Sequence, residues 1–283
     1  MSNYYCLVTG LPDLSIDDGK LSYSVVDFKE SIYPQLSGED QKIIDLFYLQ
    51  YDNECLLALL KDRDAEVVNS RGNYSVEELS ALICSVADGE VENKKYPSYF
   101  YSFISLYLKN KELGEIVSVL PEDSLSAYYY HYAMQSKNKF VAAWFEFNLN
   151  LNNLLTAITA RKYKLELSSY IVGSNGVSEA IRTSNSRDFG LMGMFDMYDQ
   201  IYRISELSDL VEKERKIDIL KWEWLEDASF FNYFSVEKLF VFLVKLSIIE
   251  RWISLDREKG SEIFRKIIES LKNDVSIPDE FRK

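Results

Sequence analysis

The sequence predicts an all-α protein, and three observations support that prediction. Apolar residues return at three- and four-residue intervals through most of the 283 residues. Helix-start signals, such as a serine followed by acidic residues or a proline at a first helical position, recur before these stretches. Only 5 prolines and 11 glycines interrupt the chain, and alternating, strand-like segments are few. We therefore expect multi-helix bundles, and neither a sandwich nor a doubly wound sheet.

Four helices are predicted in the first half of the chain. One covers about Gly38–Lys61, where a long amphipathic pattern follows a serine and two acidic residues. A second begins after Ser75, because Ser75 and Glu78 have the spacing of a capping box, in which each side chain satisfies a backbone N–H of the other. The other two begin at residues suited to a first helical turn: Pro97 and Pro121.

The second half contains the longest helical candidate, which runs from Lys139 to about Val172 without a proline or glycine. It ends at the turn cluster Gly173–Gly176, so residues 173–177 mark a sub-bundle boundary within a single domain of residues 1–283. Further helical segments follow near Ser178–Ser184, Phe189–Ile204, Glu206–Glu226, Ser235–Trp252 and Asp256–Lys272.

One small β-hairpin is the exception to the helical pattern. Tyr4–Val8 and Leu21–Val26 are short apolar segments that can pair as two antiparallel strands. No other part of the sequence offers a comparable strand pair.

Charge and cysteine usage limit the partners and the compartment. The chain has 32 basic and 45 acidic residues, a net charge of −13, which disfavours nucleic acid and anionic lipid headgroups. Cys6, Cys55 and Cys84 are far apart and lack zinc-ligand spacing, so we expect free thiols in a reducing cytoplasm. The apolar run Leu239–Ile249 is far shorter than the roughly 20 residues of a spanning helix.

Residues that could carry chemistry are few. His131 is the only histidine, which severely limits triads and histidine metal sites, and we assign it a structural role. Asp188, Asp196 and Asp199 could gather a hard cation, although a solvated acidic face is the favoured interpretation. No glycine spacing matches a phosphate-binding or dinucleotide motif, so we expect no cofactor.

The aromatic-rich stretch Lys221–Trp252, which contains three of the four tryptophans, predicts a buried core or a docking surface. An acidic, aromatic-rich helical protein without a catalytic motif is typical of a component that binds other proteins.

Three segments resemble a known family. They are NYYCLVTGLPDL at the start, NNLLTAITARKY (Asn152–Tyr163) and FFNYFSVEKLFVFLVKLSIIERW (Phe230–Trp252). They resemble an uncharacterised bacterial family that is similar to the V-type ATPase subunit designated C, or d in eukaryotes. The likeness to the bacterial family spans nearly the whole chain.

Six residues carry the likeness to that ATPase subunit itself. Asn153-Leu154 followed by Arg161 is similar to the Asn-Leu pair and downstream arginine of the ATPase subunit. Glu250-Arg251, followed by Trp252, lies where its second acidic helix pattern would fall. Where the ATPase subunit has an acidic residue shortly before the Asn-Leu pair, this sequence has asparagines. The resemblance makes these six residues structural or interface candidates.

The resemblance implies a funnel of helical bundles that acts as a non-catalytic rotor connector. Such a protein caps the membrane ring of a V-type ATPase or ATP synthase and seats the central stalk of its catalytic head. It would be cytoplasmic and peripheral at the inner face of the membrane, held there by protein contacts. The helices at about 139–172 and 236–254 would form the framework, and exposed aromatic residues near the bundle ends would dock the ring or the stalk.

Two alternatives belong to other classes. The same composition permits a general helical protein–protein scaffold unrelated to ion pumping. A metal-dependent helical-bundle enzyme would use the three aspartates named above.

Overall fold

The computed structural model describes residues 4–63, 65–89, 92–113 and 119–255. Within those ranges the regular structure is helical and contains no strand, which confirms the predicted all-α class. The α-helices there are α1 Tyr5–Thr9, α2 Val25–Ser31, α3 Gly38–Lys61, α4 Val76–Ala87, α5 Ser98–Leu113, α6 Pro121–Met134, α7 Lys139–Lys162, α8 Gly176–Thr183, α9 Tyr198–Ser205, α10 Leu210–Ala228 and α11 Val236–Ser254. Two 3₁₀ turns occupy Tyr33–Gln35 and Leu167–Ser169.

The predicted N-terminal hairpin is wrong. Residues 5–9 form α1, and Val25 begins α2. A capping box starts α2, because the Asp27 N–H donates to Ser24 Oγ (3.0 Å) and the Ser24 N–H donates to Asp27 Oδ2 (2.8 Å). These local hydrogen bonds satisfy N–H groups at the start of a helix. A strand at the same residues would need a neighbouring strand to accept hydrogen bonds from its N–H groups.

Helix starts that rest on local capping are confirmed. α3 spans the predicted residues, and Ser37 Oγ accepts the Asp40 N–H at its start. The Ser75–Glu78 capping box is present at α4, with both reciprocal hydrogen bonds. α5 begins one residue after Pro97, and Pro121 is the first residue of α6.

The predicted helix 139–172 is too long, because α7 ends at Lys162. Lys164 has a φ of 56°, in the left-handed region, and the Leu165 N–H donates to the Ala160 carbonyl (2.8 Å). This arrangement closes the helix end without a glycine. In the predicted segment 189–204, α-helix begins only at Tyr198, and the predicted helix Asp256–Lys272 lies outside the described residues.

The two helices at the centre, α7 and α11, run parallel. Near their starts, Asn138 Nδ2 donates to Glu237 Oε1 (2.7 Å), and the rings of Phe140 and Phe240 lie 6.4 Å apart. Ten residues further along α7, Asn148 lines the same cavity as Ser247 of α11. The N-termini of both helices therefore lie at one end of the bundle.

α10 packs antiparallel to α11 and completes this centre. Lys245 forms an ion pair with Glu226 (2.7 Å) near the end of α10, and Arg251 forms one with Glu214 (3.1 Å) near its start. Aromatic side chains fill the space between α7 and α10, and the rings of Phe147 and Trp224 stack 5.1 Å apart. Among the described helices, none is both long and apolar enough to cross a bilayer.

Candidate docking surfaces and the predicted interface residues

Asn153 fastens the chain that follows α7 back onto that helix. Its side chain is 2% exposed. Its Nδ2 donates to the Val172 carbonyl (2.7 Å) and to Ser178 Oγ (2.9 Å), and its Oδ1 accepts the Val172 N–H (2.9 Å). Asn153 thus satisfies both backbone polar groups of one residue, as a strand partner would, and holds the start of α8 in place.

Leu154 and Arg161 extend this junction along α7. Leu154 is fully buried in the core. Arg161 Nη1 donates to the carbonyls of Ser186 (2.8 Å) and Arg187 (3.1 Å), and its guanidinium lies 3.7 Å from the centre of the Phe189 ring. These three contacts of Arg161 fix the segment after α8, so the three candidates on α7 have structural roles.

Glu250 joins the C-terminal part of α11 to the N-terminus of α2. Its Oε1 accepts the Val25 N–H (2.7 Å), which is one of the unpaired donors at a helix start. Its Oε2 lies 3.3 Å from the guanidinium of Arg71. The glutamate links α11, α2 and the segment before α4.

Arg251 and Trp252 converge on one buried carboxylate of α10. The side chain of Asp218 is 2% exposed, and its Oδ2 accepts hydrogen bonds from Arg251 Nη2 and from Trp252 Nε1 (2.7 Å). Glu214 also pairs with Arg251 (3.1 Å). Burial lowers the pKa of Arg251, but the nearby Asp218 and Glu214 outweigh that effect and raise the pKa above its usual value.

The six candidates therefore form two groups and no shared surface. Asn153, Leu154 and Arg161 bind the segment around α8 to α7, whereas the Glu250–Trp252 group binds α11 to α2 and α10. Arg161 and Arg251 are classed as exposed, and both already contact neighbouring residues. Larger exposed apolar side chains lie elsewhere on the described surface.

An exposed aromatic surface lies at the end of the bundle where α11 begins. It consists of Tyr5, Phe230, Phe231 and Tyr233, and we call it the proximal patch. Phe231 is 84% exposed, and the other three are more than half exposed. Two contacts hold the loop between α10 and α11 against the N-terminal segment. The Tyr4 N–H donates to the Phe234 carbonyl (2.7 Å), and the ring centres of Tyr5 and Phe234 lie 4.4 Å apart.

A second exposed surface follows the end of α7. Tyr163, Leu165 and Tyr170 are exposed, and we call them the distal patch. Because α7 and α11 begin at the same end, the two patches lie at opposite ends of α7. A helix of 24 residues rising 1.5 Å per residue places them roughly 36 Å apart.

Sequence reasoning predicted docking aromatics near the bundle ends without assigning residues. In the run FFNYF, the structure separates exposed Phe230, Phe231 and Tyr233 from the partly buried Phe234. The signal was the position of this run before the Ser235 helix start, where a loop is expected. Tyr163 was missed because the helix was predicted to continue through it.

The alternative metal site gains no support from the described part of the chain. There, no group of three or more histidine, cysteine or acidic side chains is arranged to hold a metal ion. Asp188 instead caps a turn, because Oδ1 accepts from Ser186 Oγ (2.7 Å) and from the Gly190 N–H (3.2 Å), and the Ser186 hydrogen bond lowers the pKa of Asp188. Asp196 and Asp199 are exposed, and His131 on α6 hydrogen-bonds to Gln135, the residue that follows this helix.

A family model described as "Protein of unknown function (DUF2764)" matches residues 1–275. The chain belongs to the DUF2764 family. The match includes both patches and both groups of candidate residues. No curated protein and no solved structure matches this DUF2764 chain.

Proposed function

We propose that this DUF2764 protein is a non-catalytic rotor connector of a V-type ATPase or ATP synthase. It would link the membrane ring to the central stalk, peripheral to the inner face of the membrane. The resemblance of three segments to a bacterial family similar to a V-type ATPase rotor component suggests the complex. The observation that carries the proposal is the pair of exposed aromatic patches at opposite ends of α7, because a connector needs two separate docking surfaces.

The packing between the patches supports a role in transmitting torque. A connector must resist deformation, and close-packed interiors do so. α7 and α11 lie side by side over a continuous core, and hydrogen bonds and ion pairs fasten neighbouring helices to them. A torque applied at one patch would therefore be transmitted to the other through packed helices, with little deformation of the loops.

The composition of the patches suits protein partners. Tyrosine and other aromatic residues are enriched among the residues that dominate binding energy at interfaces. Exposed apolar patches mark interaction sites, and a partner in the assembled complex would cover these side chains and remove them from water. The net charge of −13 favours basic partner surfaces around the aromatic contacts.

Co-purification tests this proposal. A tagged protein isolated in gentle detergent should bring down both the ring and the central-stalk subunits. The double variant Phe230→Ser, Phe231→Ser should reduce the recovery of one of these two sets of subunits by at least about tenfold, since truncating a hot-spot aromatic typically costs about 2 kcal/mol or more. The double variant Tyr163→Ser, Leu165→Ser should reduce the recovery of the other set. Val68→Ser, at a residue 85% exposed and outside both patches, is the matched control.

Two outcomes would contradict the connector role. The wild-type protein would never recover V-type subunits, or the patch variants would recover them as well as the control does. The free energy of unfolding of each variant should lie within about 0.5 kcal/mol of the wild-type value, because the substituted side chains are exposed. A change in recovery can then be read as a change in docking.

A general helical scaffold is the second candidate, because exposed patches do not identify their partner. The gene for a connector should lie among the genes for V-type subunits, whereas the gene for a general scaffold would have no such neighbourhood. Reproducible recovery of other partners through the same patches, without any V-type component, would favour the scaffold.

A further inference from the structure

A cavity of about 290 Å³ lies among the central helices, away from both patches. Side chains of α3, α6, α7, α10 and α11 line it. Six of its thirteen lining residues are polar or charged, and the seven aromatic or aliphatic ones are Phe47, Tyr129, Tyr130, Trp144, Phe145, Val244 and Ile248. Small-molecule sites likewise combine an aromatic wall with polar groups that orient the ligand.

Three charged side chains line the cavity, and two of them are paired with each other. Asp218 accepts hydrogen bonds from Arg251 and Trp252, and Arg251 also pairs with Glu214 outside the lining. The third, Lys221, has neither a hydrogen bond nor an ion pair with any residue that the structure describes. The carboxylates of Asp218 and Glu214 attract Lys221 through space, but among the described residues its ammonium has no hydrogen-bonded partner.

Leaving an ammonium partly buried without a partner is costly, because few groups replace its hydration. Burial accordingly lowers the pKa of Lys221 below its usual value. An anion entering the cavity would supply the missing partner.

A second polar group in the lining can help to bind an anion. Tyr130 Oη accepts a hydrogen bond from Asn152 Nδ2 (3.1 Å), so its own proton is free to be donated. Burial raises the pKa of Tyr130 to about 12, so this hydroxyl stays protonated at neutral pH. The other hydroxyl-bearing groups are engaged, since Tyr129 donates to the Leu46 carbonyl and Ser247 donates to the Val244 carbonyl.

We propose that this cavity binds a small organic monocarboxylate whose charged end pairs with Lys221 and whose apolar body packs on the aromatic wall. One ammonium without a hydrogen-bonded partner matches one carboxylate, and a phosphate dianion would bring a second negative charge towards Asp218 and Glu214. A cavity of about 150 Å³ is enough for benzene. The cavity here, nearly twice as large, has room for an aromatic or medium-chain acid.

Calorimetric titration of the full chain tests the proposal. The probes are benzoate, 3-phenylpropionate and hexanoate, with benzyl alcohol as a neutral analogue and inorganic phosphate as a dianion. We expect at least one of the three carboxylates to bind. Benzyl alcohol and inorganic phosphate should not bind. Lys221→Met should weaken carboxylate binding by about tenfold or more, since a hydrogen bond to a charged group contributes at least that much.

Lys216→Met is the matched control, because Lys216 is an exposed lysine on the same helix and its loss changes the net charge equally. It should leave carboxylate binding unchanged. Lys221→Met should also raise the melting temperature, because it removes an unpaired charge and keeps the apolar stem. A crystal soaked with 4-bromobenzoate should show the bromine anomalous peak inside the cavity, which tests the site without any variant.

The proposal would be overturned if no carboxylate binds the wild type at millimolar concentration. It would also be overturned if phosphate binds and carboxylates do not, if Lys221→Met binds as tightly as Lys216→Met, or if the bromine lies elsewhere. These outcomes are independent of the connector role, which rests on the two patches and not on the cavity.

Discussion

Replacing Arg251 by methionine will lower the free energy of unfolding by about 3 kcal/mol. The substitution leaves the Asp218 carboxylate, 2% exposed, with only the Trp252 indole N–H as a hydrogen-bond partner among the described residues. Breaking a buried ion pair costs about 3–5 kcal/mol, and the 43% exposure of Arg251 places this pair at the lower end. Urea denaturation followed by circular dichroism measures the loss.

A matched control and a double variant separate the charge effect from lost packing. Lys42→Met removes one member of an exposed ion pair with Glu39, and should cost less than about 1 kcal/mol. Adding Asp218→Leu to Arg251→Met removes the stranded carboxylate, and should recover much of the lost stability. A double variant less stable than Arg251→Met would show that the pair is not the source of the effect.

Replacing Asn153 by alanine will be about as damaging, with an expected loss of roughly 3 kcal/mol. The change strands the Val172 N–H, leaves the Val172 carbonyl with only the Ser178 hydroxyl as a described partner, and removes a donor to Ser178. An unsatisfied buried group costs about 1–3 kcal/mol, and each lost hydrogen bond adds about 1 kcal/mol. Hydrogen exchange should locate the loss, since the Val172 amide should lose protection while amides in α3 change much less.

Asn152→Ala is the control for this prediction, because the neighbouring asparagine is exposed and its side chain makes a single hydrogen bond within the described ranges, to Tyr130. It should cost no more than about 1 kcal/mol. Equal losses for the two variants, or an unchanged Val172 amide in Asn153→Ala, would contradict the role assigned to Asn153.

Local signals were sufficient to predict most helix starts. A capping box such as Ser75–Glu78 involves residues three apart, so its hydrogen bonds can be inferred from the sequence. The same signal, Ser24 followed by Asp27, was overlooked in favour of strand-like apolar residues, which produced the mistaken hairpin.

Features that depend on distant contacts could not be predicted. Residues 165–172 are apolar enough to continue α7, but Lys164 turns the chain and Asn153 then binds Val172, 19 residues away. Lys221 belongs to a charged, helical stretch of sequence, and only the packing of five helices shows that its ammonium lines a cavity. The six candidates of the V-type ATPase resemblance were likewise assigned no contacts in advance.

Site-specific photo-crosslinking tests the central claim most directly. A benzophenone amino acid at Phe231 would sample the proximal patch, at Tyr163 the distal patch, and at exposed Val68 a control surface. A connector should give crosslinks from Phe231 and Tyr163 to two different V-type subunits, one of the membrane ring and one of the central stalk, and none from Val68. Crosslinks from both patches to the same component, or to no V-type component, would contradict the account.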